Sequence, residues 1–331
     1  MPRRAPRVIA VGDAIVDRIT PPMPPLPRGD FQGHIEAFET LPGGNATNFA
    51  LQISQLGAKT AFVGVLGRDA NGDLLRQAYR RHGVRAIVRT EAGRPTGATV
   101  ALSWTGGGRA LITSLGANGA FRLSDIPPKA LNGNDHLHRA GFWWTPRLMG
   151  RPTAQLLARA RHAGVGTSLD MSTDPHGWTD ARIKAARMAL PFVDTFFGNE
   201  VEVAALGGGS SPFEAAERIL ELGAGEVVIP RETRVRSYCF RRRHEDAGVL
   251  RARRESHGLQ GRLQRRLRLR AAPRRSGVDG HAFRECRLGA PYPRPSPTVS
   301  HDLRRPPLLG LAIRPGLGRF SLSPIPLCGL R

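Results

Sequence analysis

The first two-thirds of the chain alternates short apolar runs with amphipathic segments, an order that predicts strands alternating with helices. Val8–Gly12 is a continuous apolar run that ends at Asp13, a pattern typical of a strand buried on both faces. After Gly44, apolar residues recur at helical spacing, and Gly57 stands where such a helix would end. The same criteria predict further strands in TAFVGVLG, VGTSLD, VDTFFGNE and EVVI.

Other helices are predicted between these strands, in TAQLLARARHAG, ARIKAARMAL and SPFEAAERILELG. The last of them has the most complete end signals. Ser211 is its expected N-cap, Pro212 opens it, Glu214 completes a capping box and Gly223 ends it. The stretch TGATVALSWTGGGRALITSLG alternates around a glycine-rich turn and predicts a β-hairpin.

This order of elements predicts an α/β fold with a doubly wound, mostly parallel sheet covered by helices on both faces. Polar residues recur where the predicted strands end, namely Asp13, Asp170 and Asn199. The carboxyl ends of parallel strands lie at one edge of a sheet, where open α/β folds bind ligands. We therefore expect the functional site at that edge.

Hydrophobic periodicity stops after Ile229, and the composition changes at the same place. Residues 230–331 contain 24 arginines, no lysine and seven acidic residues, so they hold most of the formal net charge of +22. We divide the chain into a core, residues 1–229, and an Arg- and Pro-rich tail, residues 230–331. The tail is expected to be disordered or out of frame and to leave the sheet unfinished beyond EVVI.

The composition of the core favours a reducing compartment. All three cysteines lie in the tail, so the core has no disulfide framework. No apolar run reaches the length of a membrane span, and the basic N-terminus leads into a strand pattern rather than a signal peptide. These features lead us to expect a cytoplasmic protein without a membrane partner.

A glycine pair, Gly43-Gly44, stands directly before the first predicted helix. Glycine lets the backbone approach a ligand closely, and a helix N-terminus offers free N–H groups. Glycine pairs also occur in ordinary turns. The longer stretch GGNATNFALQISQLGAKTAFVGVLG is more specific, because it resembles the N-terminal signature of the PfkB (ribokinase-like) carbohydrate kinases. The likeness continues through GRDANG, PTGATVAL, GGGRALITSLGAN and the N-E-V-E of residues 199–202, and covers about residues 8–229.

The resemblance implies a ribokinase-like fold, a sugar substrate, ATP and Mg²⁺. It also implies a small β lid, built from segments near residues 18–40 and 95–115, that closes over the sugar and could pair two chains into a homodimer. Family members act on ribose, fructose, 2-keto-3-deoxygluconate or nucleosides, and the sequence does not select one. The substrate-binding residues that it implies are Asp13, Asp17, Gly43, Gly44 and Asn48.

Two of the acids with an implied role, Asp17 and Glu202, also have another interpretation. Asp17 is as well explained as a solvated loop acid. Asn199 is expected to contact the nucleotide phosphates, and Glu202 to hold Mg²⁺ directly or through water. A glutamate at a helix start that faces solvent is the other interpretation of Glu202.

The element that would supply the catalytic base is missing. In the family, a G-A-G-D motif opens a C-terminal helix, its Asp is the base, and its backbone N–H groups stabilise the phosphoryl charge. Gly223–Glu226 reads GAGE, but it ends a predicted helix and begins EVVI. Gly277–Gly280 reads GVDG without a strand before it or a helix after it, so Asp279 is only a weak candidate.

A shift of reading frame explains the tail. When the possible codons of His257–Leu267 are displaced by one base, nine of the eleven residues in T-G-A-G-D-A-F-N-A-G-F become allowed. The shifted Asp aligns with Gly261. We therefore hypothesise a frameshift between about Ile229 and Arg241, in the gene or in its sequencing.

Two other hypotheses stay open. The Arg-rich tail could bind nucleic acid, although it lacks the regular aromatic or basic spacing of a specific site, so no specific nucleic-acid partner is expected. Alternatively, the chain is an intact kinase that uses a different base. With the G-A-G-D element absent, we expect this chain to be an impaired or inactive carbohydrate kinase.

Overall fold

The computed structural model describes residues 4–231, 236–241 and 253–255, with side chains as far as residue 230. Its main sheet has nine strands in the order β13-β12-β11-β10-β9-β8-β1-β4-β5. The strands are β1 (Arg7–Val11), β4 (Lys59–Gly67), β5 (Arg85–Glu91), β8 (His136–Arg139), β9 (Gly166–Asp170), β10 (Thr195–Phe197), β11 (Glu226–Arg231), β12 (Arg236–Arg241) and β13 (Arg253–Glu255).

From β5 to β11 every neighbouring pair of strands is parallel. The α-helices of the described residues are α1 (Asn45–Gln55), α2 (Ala70–Arg81), α3 (Arg151–His162), α4 (Asp180–Arg187), α5 (Glu200–Gly207) and α6 (Pro212–Glu221). Short 3-10 helices cover Gly116–Ala120, Leu123–Asp125, Pro128–Leu131, Pro146–Leu148 and Leu190–Phe192.

Helices cover both faces of the sheet, as the sequence predicts. Alternate residues of β1 point to opposite sides, since Ala10 packs with side chains of α1 and α2, whereas Ile9 packs with those of α3, α5 and α6. Each face of the sheet thus packs against its own hydrophobic core. The doubly wound, mostly parallel α/β architecture is therefore confirmed.

A second, four-stranded sheet is built from β2 (Ile15–Ile19), β3 (Glu39–Gly43), β6 (Gly97–Ser103) and β7 (Arg109–Ser114), in the order β3-β2-β6-β7. The strands β6 and β7 form the antiparallel hairpin that the alternating pattern predicts. The last residue of β3 directly precedes Gly44, so the small sheet runs into the start of α1.

The expectation that no strand follows EVVI is wrong. The strand β12 pairs antiparallel with β11, with Arg231 opposite Arg236, and β13 pairs with β12. The segment RSYCFR contains Tyr and Phe, which strands favour, but the arginines around it hide the alternation. The rest of the tail, including Asp279 and the His257–Leu267 segment whose codons suggest the frameshift, with Gly261 in it, lies outside the described residues.

The predicted capping box of α6 is half correct. The Ser211 hydroxyl accepts a hydrogen bond from the Glu214 backbone N–H at 3.2 Å, as expected for an N-cap. The Glu214 carboxylate, however, accepts from the backbone and hydroxyl of Ser210, both at 2.9 Å. Gly208 and Gly209 have φ of 72° and 104° and turn the chain so that Ser210 faces Glu214. The helix ends before Gly223, whose φ is 113°, as predicted.

Within the described part of the chain, no helix is both long and apolar enough to cross a membrane.

Candidate active site

The polar residues expected at the strand ends do lie at the carboxyl edge of the main sheet. Asp13 follows β1, Asp170 is the last residue of β9, and Asn199 follows β10. The N-termini of α1 and α5 open at the same edge. Backbone N–H groups and carboxylates therefore face one another there, which is the arrangement that binds phosphates and sugars in α/β folds.

Asp13 is tied to the first turn of α1. Its Oδ2 accepts a hydrogen bond from the Asn45 backbone N–H at 3.1 Å, and its Oδ1 accepts from the Ala46 backbone N–H at 3.0 Å. The side chain is only 1% exposed. Burial raises the pKa of Asp13, although these N–H groups and the charge of Arg139 act in the opposite direction. These two N–H groups occupy two of the roughly four acceptor positions of the carboxylate.

Arg139 is a fully buried arginine near Asp13 that the sequence does not mark as special. Its guanidinium donates to Thr153 Oγ1 at 3.3 Å, to Thr145 Oγ1 at 2.5 Å and to the Ala140 carbonyl. Burial lowers its pKa to about 10, and the carboxylate of Asp13 partly offsets that effect. Arg139 therefore keeps its charge and favours the ionised form of Asp13.

Gly43 and Gly44 each occupy a position where a side chain would not fit, for different reasons. Gly44 has a φ of 90°, and a Cβ there would lie 2.8 Å from the carbonyl oxygen of Asp13. A Cβ on Gly43 would collide with the Asp17 carboxylate. The glycines thus bring Asp13 and Asp17 against the loop that starts α1.

Asp17 belongs to β2 and is partly buried, rather than a freely solvated loop acid. Burial raises its pKa, the hydroxyl of Thr99 opposes the shift, and the charge of Asp13 adds to it. The structure thereby brings Asp13, Asp17, Gly43 and Gly44 together.

Asn48 lies one turn into α1. Its backbone N–H donates to the Gly44 carbonyl at 2.8 Å, which closes the first turn of the helix. Its side chain is partly exposed and forms no hydrogen bond within the described residues. The Asn48 amide, on the first turns of the helix whose start binds Asp13, offers two donors and an acceptor for ligand hydroxyl groups.

Hydrogen bonds through Ser172 link the start of α1 to the end of β9, which the sequence did not predict. The Asn45 side-chain amide bonds the Ser172 hydroxyl, and the Ser172 N–H donates to Asp170 Oδ1 at 3.2 Å. The indole of Trp143 donates to the Ser172 carbonyl at 2.9 Å. Ser172 has a φ of 66°, the only positive value at a non-glycine residue in the described part, and such backbone costs of order 1–3 kcal/mol.

Asn199 and Glu202 form a reciprocal capping box at the start of α5. The Asn199 side chain accepts from the Glu202 N–H, and the Glu202 carboxylate accepts from the Asn199 N–H, both at 2.9 Å. Glu202 also accepts from the Thr173 hydroxyl at 3.1 Å and is 5% exposed. It is therefore a buried acid of the strand edge, not one that faces solvent.

Negative charge runs along the sheet edge from Asp17 to Glu202. Burial, followed by the charges of Glu202 and Asp13, raises the pKa of Asp170 to about 7. Burial also raises the pKa of Glu202. Acids that are held close together with raised pKa values favour a bound cation, which would relieve their repulsion.

Within residues 4–230, no set of three or more His, Cys, Asp or Glu side chains is placed to hold a metal ion by itself. The donor chemistry nevertheless fits hydrated Mg²⁺, which takes one or two carboxylates and completes its shell with water and substrate phosphates. Asp170 and Glu202 are the acids whose charges interact at this end of the edge.

Comparison with known proteins identifies the family of the chain. The family model for pfkB family carbohydrate kinases matches residues 5–232. The bifunctional protein HldE of Pseudomonas putida (strain W619) is 37% identical over 107 residues, which cover 29% of this chain and 21% of that protein. The ATP-dependent ribose-1-phosphate kinase of Halopiger xanaduensis is 29% identical over 208 residues, covering 60% of this chain and 64% of that protein. The chain thus matches about a fifth of HldE and less than two thirds of the ribose-1-phosphate kinase.

Solved structures share the fold. Ribokinase of Arabidopsis thaliana, complexed with ribose and ATP, has a TM-score of 0.61 at 24% identity, covering 76% of this chain and 78% of that one. The PfkB protein of Polaromonas sp. JS666 has a TM-score of 0.62 at 24% identity, covering 76% and 83% of the two chains. Since the family model extends over more than half of the sequence, the chain belongs to the pfkB family of carbohydrate kinases.

Proposed function

We propose that this chain is built to bind a sugar and ATP for transfer of the γ-phosphoryl group to a sugar hydroxyl, and that the transfer step is impaired. The observation that carries the proposal is the pair of Asp13 and Asn48 at the start of α1. Asp13 is fixed by the backbone N–H groups of the first turn of α1, and the side-chain amide of Asn48, on the same helix, has no hydrogen-bond partner in the described chain.

The sugar-binding group comprises Asp13, Asp17, Gly43, Gly44 and Asn48. The carboxylate of Asp13 accepts from sugar hydroxyls, and Asn48 donates and accepts at a neighbouring hydroxyl. Asp17 approaches from β2. The four-stranded sheet is the proposed lid, because its strand β3 ends at the glycine pair of the sugar-binding group. Closure of this sheet over the sugar would exclude water.

The nucleotide side is the edge near α5. Asn199 and the N-terminus of α5 face the phosphates, with the helix dipole favouring their negative charge. Glu202 and Asp170 would hold hydrated Mg²⁺, which would supply positive charge to offset that of the phosphates and to favour the ionised form of Asp170, whose pKa burial raises.

In the transfer itself, the sugar hydroxyl oxygen bonds to the γ-phosphorus, the bond to the β-γ bridging oxygen breaks, ADP leaves and the hydroxyl proton goes to a base. The family places that base in G-A-G-D, which the sequence lacks. The GAGE of Gly223–Glu226 is excluded as a substitute because Glu226 begins β11, which runs parallel to β10, so it lies at the edge of the sheet opposite Asn199.

The substrate is tested by a binding panel of ribose, fructose, 2-keto-3-deoxygluconate, a nucleoside and ribose 1-phosphate. The last compound is included because of the ribose-1-phosphate kinase among the relatives. Calorimetry with the full chain should detect at least one of these ligands, and Asn48→Ala should weaken its binding. Absence of binding by the whole panel would contradict the proposal.

A further inference from the structure

A basic cleft opens at the edge of the main sheet that lies opposite the candidate active site. Its volume is about 620 Å³, and its lining includes Arg4, Arg7, Lys59, Arg85 and Asn134. Small-molecule sites commonly have volumes of roughly 300–1,000 Å³. The cleft therefore has the size of a ligand site, and its walls are rich in cations.

Strand register brings these cations together. Arg7 and Lys59 are direct partners in the pairing of β1 with β4, and Arg85 is the partner of Ala61 in the pairing of β4 with β5. Residues two apart on a strand share a face, so Arg7, Lys59 and Arg85 project on one side of the sheet. The Arg7 guanidinium lies against Gly133, in the turn that bounds the cleft.

The charge of this cleft is poorly compensated. Asp135 is engaged by Arg4 Nη2 at 2.6 Å and by the backbone N–H of Arg7 at 2.8 Å. Arg7, Lys59 and Arg85 form no side-chain ion pair with any residue in the described part of the chain. Three cations on adjacent strands repel one another, and a bound anion would relieve this repulsion.

We propose that this cleft is a binding site for a small anion with two or more linked phosphate groups. Neighbouring strands lie about 4.8 Å apart, so a row of cations on three strands is wider than one phosphate group. Arginine matches phosphate oxygens through its fork of N–H donors, and lysine adds a point charge. The concave shape selects a compact anion, and the site is separate from the strand ends that carry Asp13 and Asn199.

The test is calorimetric titration of the full chain with pyrophosphate and, in parallel, with inorganic phosphate. Pyrophosphate should bind more tightly. The double variant Lys59→Gln/Arg85→Gln should bind pyrophosphate about tenfold or more weakly, because two charge-assisted contacts are lost. The matched double variant Lys184→Gln/Arg147→Gln removes the same charge from exposed positions elsewhere and should leave the affinity unchanged.

Equal loss in both double variants would show that binding reflects the basic chain as a whole and would overturn the proposal. So would an affinity for phosphate equal to that for pyrophosphate, or no pyrophosphate binding at all. Because Lys59 is exposed, the single variant Lys59→Gln provides a second test if the double variant fails to fold. It should also weaken pyrophosphate binding, and unchanged affinity in this variant would count against the site.

Discussion

At the residue scale, the buried carboxylate of Asp13 both stabilises the start of α1 and lies at the strand edge of the candidate site. It accepts from two backbone N–H groups, which would otherwise be left without partners in the first turn. Asn48, one turn further on, has no such structural duty. Substitutions at these two positions should therefore separate folding from ligand binding.

We expect Asn48→Ala to weaken sugar binding and to leave the free energy of unfolding almost unchanged. Asp13→Ala should weaken binding by about 1.5–3 kcal/mol, or roughly 10- to 150-fold, because a charged acceptor is lost. It should also destabilise the fold, since two buried N–H groups lose their acceptor. Calorimetry with the panel ligand that binds, combined with urea unfolding, measures both effects. Asn132→Ala is the matched control. An equal loss of sugar affinity in that variant would show that the effect of Asn48→Ala is not specific to the sugar site.

Asp170 makes stability depend on pH. Its folded-state pKa, about 7, lies above its ordinary value of 3.8, so the folded chain holds this proton more tightly than the unfolded chain. The contribution of Asp170 to stability is therefore greatest at the acidic end of this window and falls as pH rises from about 4 to about 7, by at most about 1.4 kcal/mol per pH unit. Asp170→Asn should flatten this decline and raise the free energy of unfolding at pH 8.

Urea unfolding at pH 5, 6, 7 and 8 measures this effect in the wild type, in Asp170→Asn and in Asp30→Asn. Asp30 is an exposed loop residue, so its variant should follow the wild type. Identical slopes in all three proteins would show that Asp170 is not the group responsible.

At the scale of the element, periodicity predicted β1, β4, β9, β10 and β11 and the helices α1, α3, α4 and α6, because burial leaves a direct record in the sequence, whereas α2, β5 and β8 were not predicted. The hairpin of β6 and β7 and the stop at Gly223 were predicted as well. The partner of Glu214 could not be predicted in this way. Several N–H groups near a helix start are equivalent in sequence, and the bend at Gly208 and Gly209 chooses among them.

The site was predicted to a similar degree. Asp13, Asp170 and Asn199 were placed at the strand edge because polar residues stand out against apolar runs, whereas the roles of Gly43, Gly44 and Asn48 are implied by the resemblance of the GGNATN stretch to the family. Ser172 and Arg139 were missed, because a positive φ at serine and the burial of an arginine leave no local signal. Both depend on contacts between segments that are distant in the chain.

The caps of α5 and α6 provide a matched comparison. Asn199→Ala and Ser211→Ala each remove a side chain that accepts from a helix N–H, so each should cost about 1 kcal/mol of stability. Only Asn199 lies at the strand edge assigned to the nucleotide. Titration with ATP should therefore reveal weaker binding in Asn199→Ala alone. Equal ATP affinity in the two variants would place the nucleotide elsewhere.

The small sheet exposes apolar side chains on an outer strand. In β7, Leu111 is 54% exposed and Ile112 is 66% exposed. Exposed apolar residues on an edge strand favour association, and a second copy of the lid is the partner expected from the family. We expect Leu111→Ser/Ile112→Ser to shift the chain toward monomer in sedimentation velocity. Leu56→Ser, another exposed leucine, is the control, and a monomeric wild type would refute dimerisation through the lid.

At the scale of the whole molecule, the hydrophobic pattern and the composition change near residue 230, close to the point where the family match ends. The match to the family ends at residue 232. The main sheet nevertheless continues into β12 and β13, which pair antiparallel beyond that point. The family match thus covers the parallel strands β1 to β11, and the G-A-G-D element expected from the resemblance would lie in the sequence after them.

The activity of the whole chain tests that conclusion. A positioned base contributes roughly 10²–10⁴-fold to rate, and one anion-stabilising donor about 2.7–4 kcal/mol. If both are lost with the G-A-G-D element, their effects need not add, because they act on one step. The loss of the donor alone leaves about a hundredth to a thousandth of the rate, at 1.36 kcal/mol per factor of ten. We expect this chain to consume ATP at or below that level with every sugar of the panel.

The decisive comparison sets this chain beside two versions whose genes carry one inserted or one deleted base near codon 230. If the frameshift hypothesis is correct, one of them restores a G-A-G-D element, unfolds at a higher urea concentration and phosphorylates at least one sugar. Mutation of the restored Asp to Asn should then abolish the gain, which ties the activity to the base rather than to better folding. An ordinary kinase rate in the uncorrected chain would refute both the missing base and the frameshift, and Asp279→Asn would be the first variant to examine for a base in the tail.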